Sequence, residues 1–482
     1  MAKTDAKKSF LKRLKASFSD LAECEEVDIK ESYRLHNKKI KVHVGEYPFQ
    51  VNLYGDTKSL HVYPERLLNG NPAGTPSGSY IIFDPDRYFS AITGFFRLQD
   101  GDKITLGSDD ERQRDFLDIP KNPSGRQLSI SNREGELVFK NHAPKSGSCI
   151  APLLKDKKIN RVVDWRLAKA RGLRELYGGE IKPLDPESAL TLIREVNLIL
   201  EQEVHRPKDN SGRPGGVVVL PDGSVSCIVA DLHAKTDNLL VVLSQNGYLE
   251  ALEAGNAYLI ILGDAVHPEG ETKLDEMEGS MLIMDLIFRL KLRFPSQVFY
   301  IRGNHDSFSE EIAKGGIPQG LLWGKQLKNA RGEQYKQEMD RFYRLLPYVV
   351  VAEHFIACHA APPTSATPIE TIINIRDNPK LVNQLLNNRL QRPNRPSGYT
   401  KGDVKKFRKS LQRDADTPVI VGHTPMSNDD TIWENVDGIE NHHILYSSDS
   451  EWVGVMTQIG DKVYPFRYPV EPMTSIINSL SD

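Results

Sequence analysis

The sequence predicts an α/β protein in which a strand-rich N-terminal part precedes a C-terminal domain of alternating strands and helices. Three observations predict this arrangement. Short β-type runs separated by turn sequences fill residues 38–155, helical patterns fill residues 156–208, and buried-type strands alternate with helical patterns over residues 217–470. A chain of 482 residues is long enough for two or three such domains. We assign residues 1–37 to a basic N-terminal segment and residues 471–482 to a C-terminal tail.

Composition narrows the classes of function. The chain is 39% hydrophobic and 26% charged, which is typical of a globular protein, and its net charge of -3 gives no reason to propose nucleic acid as a partner. No apolar run reaches the roughly 18 residues of a transmembrane segment, and no signal peptide is evident. The four cysteines are far apart and form no CxxC pair. We therefore expect a cytoplasmic or otherwise reducing compartment.

The basic N-terminal segment predicts a short amphipathic helix. Phe10, Leu11, Leu14 and Phe18 recur at helical spacing with Lys and Arg between them. We assign no function to this helix.

Residues 38–155 predict a β-sandwich, through runs such as KIKVHV, SYIIF and ELVFK and turns such as QDGD and REGE. The order GDKITLGSDDE, FLDIP and RQLSISNREGELVFK resembles a forkhead-associated (FHA) domain, which implies a phosphothreonine-binding sandwich. The family's binding residues do not match, because Ser108 follows Gly107, Ser146 precedes Gly147, and RQLS replaces the SRxH element. A structural or partner-docking sandwich is the alternative interpretation.

Two helices are predicted within the linker 156–208. The first is RVVDWRLAKARGLRELY and the second is PESALTLIREVNLILEQEV, and both are expected to pack against the C-terminal domain. The apolar face predicted for the second helix consists of Leu190, Leu192, Ile193, Val196, Leu198 and Ile199.

Polar side chains follow five separate apolar strands of the C-terminal domain. They are Asp231 and His233, then Asp264, then Asn304 and His305, then His359, and finally His423. Loops at strand ends commonly carry function, and carboxylate, amide and imidazole groups together are ligands that transition metals accept. Two ions about 3.5 to 4 Å apart need a bridging carboxylate and a mixed shell of nitrogen and oxygen ligands. The sequence therefore predicts a two-metal site.

The motifs that carry these residues are ADLHA, GDAVHPEG, GNHD, CHAAP and GHTP. In content and order they resemble the phosphoprotein phosphatase (PPP) family of calcineurin-like metallophosphoesterases, which implies a β-sandwich flanked by helices. The resemblance implies that Asp231, His233 and Asp264 hold one ion, and that Asp264, Asn304, His359 and His423 hold the other. It also implies a metal-bridging hydroxide as nucleophile and His305 as the general acid.

The resemblance further implies arginines that bind the phosphate group. Arg302 matches one of them, and Arg395 in NRPSGYTKG is the candidate for a second, with Arg392 as the fallback. The family's GDxxDRG element is altered, since His267 stands where its Asp orients the catalytic histidine and Pro268 stands where its Arg binds phosphate. Glu269, Asp306 or His267 itself remain alternatives for orienting His305.

These features predict a metal-dependent protein phosphatase acting on phosphoserine, phosphothreonine or phosphotyrosine, with manganese, iron or zinc as the two ions. The altered motifs resemble a divergent bacterial branch of WipA/WipB-like effector phosphatases, which implies export without a signal peptide as a further option. A phosphorylated protein is the expected substrate, and a protein partner is expected for the FHA-like sandwich. The alternatives are a hydrolase of small molecules such as dinucleoside polyphosphates, or an FHA-like binding protein whose phosphatase half is vestigial.

Overall fold

The computed structural model describes residues 24–36, 38–42, 47–55, 57–71, 73–107, 110–120, 125–153, 161–269, 277–360 and 362–480. The chain divides into two compact units, Met1–Trp165 and Arg166–Asp482. The amphipathic helix predicted around Phe10 and Phe18, and the position of Ser108, lie outside the described residues. No helix among the described residues combines the length and apolar character needed to cross a bilayer.

The described residues of the first unit form two β-sheets, as the strand-rich pattern predicts. The strands are β1 Glu25–Val27, β2 Tyr33–Arg34, β3 Lys39–Val42, β4 Phe49–Leu53, β5 Lys58–Leu67, β6 Thr75–Phe83, β7 Phe96–Leu98, β8 Lys103–Leu106, β9 Leu128–Arg133, β10 Glu136–Asn141 and β11 Cys149–Pro152. Their orders are β1-β3-β10-β9-β8 and β2-β11-β4-β5-β6-β7. Helices α1 Pro85–Tyr88 and α2 Glu111–Leu117 lie between strands.

Side chains of the first unit join its two sheets. The amide of Asn132 in β9 donates to the carbonyls of Gly78 in β6, at 2.8 Å, and Leu98 in β7, at 3.1 Å. Glu134 and Gly135 connect β9 to β10 with φ of 53° and 82°, and two positive φ angles suit a tight hairpin turn. The FHA likeness itself remains a prediction.

The second unit is built on two further sheets. Their strands are β12 Val217–Val219, β13 Val225–Val229, β14 Ala257–Ile261, β15 Val298–Tyr300, β16 Val349–Val351, β17 Ile356–Cys358, β18 Val419–Val421, β19 Ile432–Trp433, β20 His442–Leu445, β21 Trp452–Ile459 and β22 Lys462–Pro469. The sheet orders are β12-β16-β17-β18-β20-β19 and β15-β14-β13-β21-β22. One apolar core holds Ile228 and Ile260 of the second sheet together with Val350 and Ile420 of the first, so the two sheets face each other.

Helices also form along this part of the chain. They are α3 Arg161–Tyr177, α4 Pro186–Glu201, α5 Thr236–Leu243, α6 Tyr248–Glu253, α7 Glu278–Arg293, α8 Gln319–Arg331, α9 Glu333–Leu345, α10 Ile369–Ile373, α11 Pro379–Asn387, α12 Lys401–Ser410 and α13 Met473–Ser479. Helix α13 packs on α5 and buries Met473 and Ile477.

Helix α4 packs against α7 and α9, but its predicted apolar face needs one correction. Leu192, Ile193 and Val196 are buried as expected, whereas Leu198 is 56% exposed. Leu200 is buried instead. Each residue turns the helix by about 100°, so Leu198 points to the side opposite the buried Val196. Leu200, one turn after Val196, lies again on the buried side.

Candidate metal centre

The predicted ligands meet where neighbouring strands end. Asp231, Asp264 and Asn304 follow β13, β14 and β15, which are adjacent parallel strands. His359 and His423 follow β17 and β18, which are also parallel neighbours. Because the carboxyl ends of parallel strands lie at one edge of a sheet, residues far apart in sequence come together here.

The backbone of these loops adopts an unusual conformation at several of the same residues. Asp231, His233, Asp264, His267 and His423 have φ of 50°, 43°, 51°, 66° and 68°. Positive φ is uncommon outside glycine and concentrates at functional sites. The loops are therefore held in conformations that direct these side chains.

Two ligand groups share one carboxylate. Asp231, His233 and Asp264 offer ligand atoms that all lie within 4.8 Å of one another, and so do Asp264, His359 and His423. The Nε2 atom of His359 is 2.9 Å from Oδ1 of Asn304. All six residues predicted as metal ligands thus belong to one cluster, with Asp264 between its two halves.

The chemistry of the cluster fits cations. Nδ1 of His359 lies 2.8 Å from the carbonyl oxygen of Leu262, which only accepts, so Nδ1 carries the proton and Nε2 carries the lone pair. That lone pair faces Oδ2 of Asp264 at 3.3 Å. His233 is fixed in the same way, with Nδ1 3.0 Å from the carbonyl of His267. Lone pairs that face carboxylate oxygens in a buried site are favourable when a cation lies between them.

Hydrogen bonds and close backbone packing orient the two carboxylates. The backbone N–H of His305 donates to Oδ1 of Asp264 at 2.8 Å, and that of His423 donates to Oδ2 of Asp231 at 2.9 Å. A Cβ atom on Gly303 would lie 2.1 Å from Asp264 Oδ1, and one on Gly422 would lie 2.0 Å from Asp231 Oδ2. The glycines of GNHD and GHTP are therefore required by the approach of the carboxylates to the backbone.

Burial dominates the electrostatics of the cluster. It raises the pKa of Asp231 and Asp264 well above the usual value, and the charges of nearby carboxylates raise both further. It lowers the pKa of His359 to about 3 and also lowers the pKa of His233 and His423. The imidazoles are thus neutral, which is the form that binds metal, and divalent cations would offset the repulsion between the carboxylates.

His305 contacts another histidine where the family has an aspartate. Nδ1 of His267 lies 2.9 Å from Nδ1 of His305. His267 is buried, and burial lowers its pKa to about 3. Burial followed by the charges of surrounding histidines lowers the pKa of His305 well below its usual value. One Nδ1 donates and the other accepts, so a neutral partner replaces a charged one.

The other two residues considered for orienting His305 make different contacts. Asp306 accepts hydrogen bonds from the backbone N–H of Gly303 at 2.7 Å and from the Tyr300 hydroxyl at 2.7 Å. Glu269 pairs with Lys314, and its Oε1 lies 3.7 Å from Nε2 of His233. Among the three alternatives, the contact with the His305 ring is made by His267.

Arg302, Arg392 and Arg395 are placed at different parts of the site. Arg302 donates to the Tyr348 hydroxyl at 3.1 Å. Arg395 pairs by backbone hydrogen bonds with Arg392, whose guanidinium lies 3.3 Å from the sulfur of Met426. The charge of Arg395 contributes to lowering the pKa of His423, after burial and the charges of His359 and Arg389.

Arg389 is a site residue that the sequence reasoning missed. Burial lowers its pKa first, the charge of Arg395 lowers it further, and the charges of Asp231 and Asp264 oppose this. The guanidinium therefore lies within electrostatic reach of both carboxylates. A Cβ atom on Gly398 would lie 2.3 Å from the carbonyl oxygen of Arg389. Gly398, whose spacing from Arg395 suggested that arginine, thus packs against Arg389. This contact could not be inferred from the spacing of the residues in the sequence.

A cleft of about 680 Å³ opens beside His233. Its walls include Pro183, Lys235, Glu269 and Gln326. This volume lies within the range of roughly 300–1,000 Å³ that is typical of ligand-binding clefts. The ligand cluster is therefore bordered by open space large enough for part of a substrate.

Part of this domain matches a known protein family. Residues 227–449 match the family described as "Calcineurin-like phosphoesterase". The chain is 25% identical over 151 residues to mouse "Serine/threonine-protein phosphatase with EF-hands 1", a stretch that covers 31% of this chain and 21% of that protein. The match thus spans about a fifth of the length of this relative.

Solved structures of two phosphatases also align with the chain. A yeast protein serine/threonine phosphatase, described as similar to human phosphatase PP5, aligns with a TM-score of 0.44 and 13% identity over 59% of this chain and 90% of that one. A cold-active protein tyrosine phosphatase from Shewanella aligns with a TM-score of 0.34 and 12% identity over 53% and 82%. The family match carries the assignment: the C-terminal half of this chain contains a calcineurin-like phosphoesterase domain.

Proposed function

We propose that this chain is a metal-dependent protein phosphatase that hydrolyses phosphomonoesters of phosphorylated proteins. The observation that carries the proposal is the sharing of Asp264 between two ligand groups, with His305 bonded to the same carboxylate through its backbone. A phosphoesterase needs a centre that binds an oxyanion beside a group able to protonate the departing oxygen. This combination of groups meets both requirements.

Asp231, His233 and Asp264 would hold one divalent ion, and Asp264, Asn304, His359 and His423 would hold the other. Two bound ions supply Lewis acidity and lower the pKa of a bound water. Manganese, iron and zinc all accept a shell of carboxylate, amide and imidazole ligands. Manganese is the ion that we propose, with iron and zinc as alternatives.

His305 would give a proton to the oxygen of the departing alcohol or phenol. Its contact with Nδ1 of His267 fixes the orientation of the ring. His267 is therefore a positioning residue in this proposal. Because its pKa is low, His267 stays neutral and does not stabilise a positive charge on His305 as a carboxylate would.

Arginines would bind the phosphate oxygens and stabilise the charge that develops on them. Guanidinium groups suit this role because their planar N–H donors match two oxygens at once. Arg389 has the best support, because its charge acts on both Asp231 and Asp264. Arg302 and Arg395 remain proposed contributors.

A phosphoprotein is the proposed substrate, for two reasons. The mouse relative carries the name of a serine/threonine-protein phosphatase. The cleft beside His233 also offers room for residues that flank a phosphorylated side chain. Both phosphoserine/threonine and phosphotyrosine are compatible with these observations.

The N-terminal unit is proposed to dock a protein partner. The outer face of its five-stranded sheet carries Lys103, Arg133 and Lys140 beside Ser129 and Ser131, which favours an acidic segment. Exchanging Lys103 and Lys140 for Glu should raise KM for a phosphoprotein and leave KM for a short phosphopeptide unchanged. If the substituted and unsubstituted chains have equal KM values for the phosphoprotein, this docking role is contradicted.

The direct test compares hydrolysis of matched phosphotyrosine and phosphothreonine peptides by the manganese-loaded chain, with His305→Ala as the blank. Turnover that chelation and the substitution both abolish is the expected result. Turnover on a dinucleoside polyphosphate alone would favour the small-molecule alternative. Absence of turnover in folded, metal-loaded protein would favour a binding protein with a vestigial phosphatase half.

A further inference from the structure

An ion pair joins two loops beside the metal ligands. Glu269, in the loop after β14, pairs with Lys314, in the segment that precedes α8. Oε1 of Glu269 is the atom that contacts Lys314, and it also lies 3.7 Å from Nε2 of His233. Two contacts in series therefore connect the ammonium group of Lys314 to the metal-binding atom of His233.

The backbone fixes the position of Lys314. Lys314 and Ile317 exchange backbone hydrogen bonds of 3.1 and 2.9 Å across Gly315 and Gly316, whose φ angles are 57° and 79°. Two successive positive φ angles define a tight two-residue turn that glycine adopts readily.

A further hydrogen bond attaches the neighbouring loop to helix α8. The side-chain amide of Gln319 donates to the carbonyl oxygen of Pro268 at 3.1 Å. The backbone N–H of Gly320 also donates to the carbonyl of Ile312, at 3.1 Å. Lys314 thus faces the site because of the fold, while its side chain remains 45% exposed to an approaching ligand.

This side of the site lacks a cation in its altered motif, because Pro268 stands where the resembled family has an arginine. Lys314 brings a cation to the same side from a different loop. An ammonium group carries three N–H donors, so it can contact Glu269 and a phosphate oxygen together. The carboxylate of Glu269 meanwhile repels a phosphate dianion nearby.

We propose that Lys314 binds the phosphate group of the substrate, and that Glu269 positions Lys314 while weakening phosphate binding through its own charge. The proposal rests on the proposed phosphatase function. It predicts that the two members of the ion pair act on phosphate affinity in opposite directions. An ion pair that only ties the two loops together would give changes in the same direction, since removing either partner breaks the same contact.

The experiment measures inorganic phosphate binding to the manganese-loaded full chain by isothermal titration calorimetry. Lys314→Met should weaken binding by about tenfold, the typical effect of losing a hydrogen bond to a charged group. Glu269→Gln should tighten binding by about fivefold, because one negative charge near the phosphate is removed. Lys314→Arg should retain most of the affinity.

The matched control is the ion pair between Lys328 and Glu333, whose side chains are 62% and 46% exposed. Lys328→Met and Glu333→Gln should leave phosphate affinity unchanged. Manganese content and unfolding midpoint are measured for every variant, so that loss of metal or of fold is seen directly. If Lys314→Met does not fold, Lys314→Gln takes its place.

Equal affinities in Lys314→Met and the unsubstituted chain would overturn the proposal, and so would weakened binding in both Lys314→Met and Glu269→Gln. Failure to bind phosphate in the unsubstituted, metal-loaded chain would overturn it as well. Because binding is read without turnover, opposite effects on affinity in a chain that hydrolyses no phosphopeptide would uphold the role of Lys314 and reject the phosphatase function.

Discussion

Replacing His267 by Asp should move the proposed phosphatase activity towards higher pH. The Nδ1 atom of His and the Oδ atoms of Asp are all attached to Cγ, so Asp at position 267 can keep the contact that Nδ1 of His267 makes with Nδ1 of His305 at 2.9 Å. The change therefore substitutes a negative charge for a neutral group with little change in geometry. His267→Asn, which offers a neutral acceptor at the same place, is the matched control.

The expected shift follows from the electrostatics of this contact. A carboxylate within about 4 to 6 Å of a basic group raises its pKa by about one to three units. The lower end of that range applies here, because His267 is buried and a carboxylate there would lose much of its hydration. In the proposed mechanism the protonated form of His305 is the active one, and its fraction falls as pH rises through its pKa. A raised pKa thus moves the alkaline limb of the rate profile up by about one pH unit.

The assay records kcat/KM against pH with a substrate whose leaving group is poor, because such a group needs protonation. Metal is kept saturating, and metal content is measured in each variant. With an activated aryl phosphate, whose leaving group needs little protonation, the alkaline limb of His267→Asp should not shift, and this result would agree with the proposed proton transfer from His305. An unmoved limb in His267→Asp, or an equal shift in His267→Asn, would refute the reasoning.

Three further substitutions test other parts of the site. Asp264→Asn should remove metal from both ligand groups, because they share this carboxylate, and elemental analysis measures that loss. The substitution should also lower the unfolding midpoint measured by calorimetry in the presence of manganese. Normal metal content would contradict the sharing. His305→Ala should reduce turnover of alkyl phosphates about a hundredfold or more and that of activated aryl phosphates much less, and equal losses in steady-state rates would reject the proton role. Arg389→Ala should raise KM and lower kcat more than Arg395→Ala with metal retained, because Arg389 lies within electrostatic reach of both carboxylates; the reverse ranking would identify Arg395 as the main phosphate contact.

The cluster of polar residues could be predicted from the sequence for a simple physical reason. Each residue follows its own apolar strand, and parallel strands bring their carboxyl ends to one edge of a sheet. Asp231 and Asp264 follow the adjacent strands β13 and β14, and His359 and His423 follow β17 and β18. Strand recognition and order were therefore sufficient to group these residues, although their roles as metal ligands stay predictions.

Residues placed by loops were harder to predict. Glu269 and His267 lie inside the GDAVHPEG motif and Asp306 ends the GNHD motif, so the three are equally plausible in sequence as partners of His305. The choice depends on backbone direction, as the φ of 66° at His267 illustrates. Arg389 was missed because Gly398 contacts it across a loop of eight intervening residues. Leu198 was misplaced because helical spacing identifies an apolar face only approximately, and packing against α7 and α9 decides its edges.

The GDAVHPEG motif differs from the resembled GDxxDRG pattern in where its charges lie. The resembled pattern GDxxDRG carries one negative and one positive charge after its metal-binding Asp, and they sum to zero. Here His267 and Pro268 carry none, but Glu269 restores a negative charge and Lys314, from another loop, restores a positive one. The carboxylate of Glu269 lies 3.7 Å from His233, whereas the ring of His305 contacts the neutral His267. Because Coulomb energy depends on distance as well as on net charge, we expect a lower proton affinity at His305 than a carboxylate partner would give, and a phosphate attraction to which the exposed Lys314 contributes beside the arginines. A site altered in this way should favour lower pH and bind phosphate with greater sensitivity to salt than the family pattern, because screening acts most strongly on exposed charges.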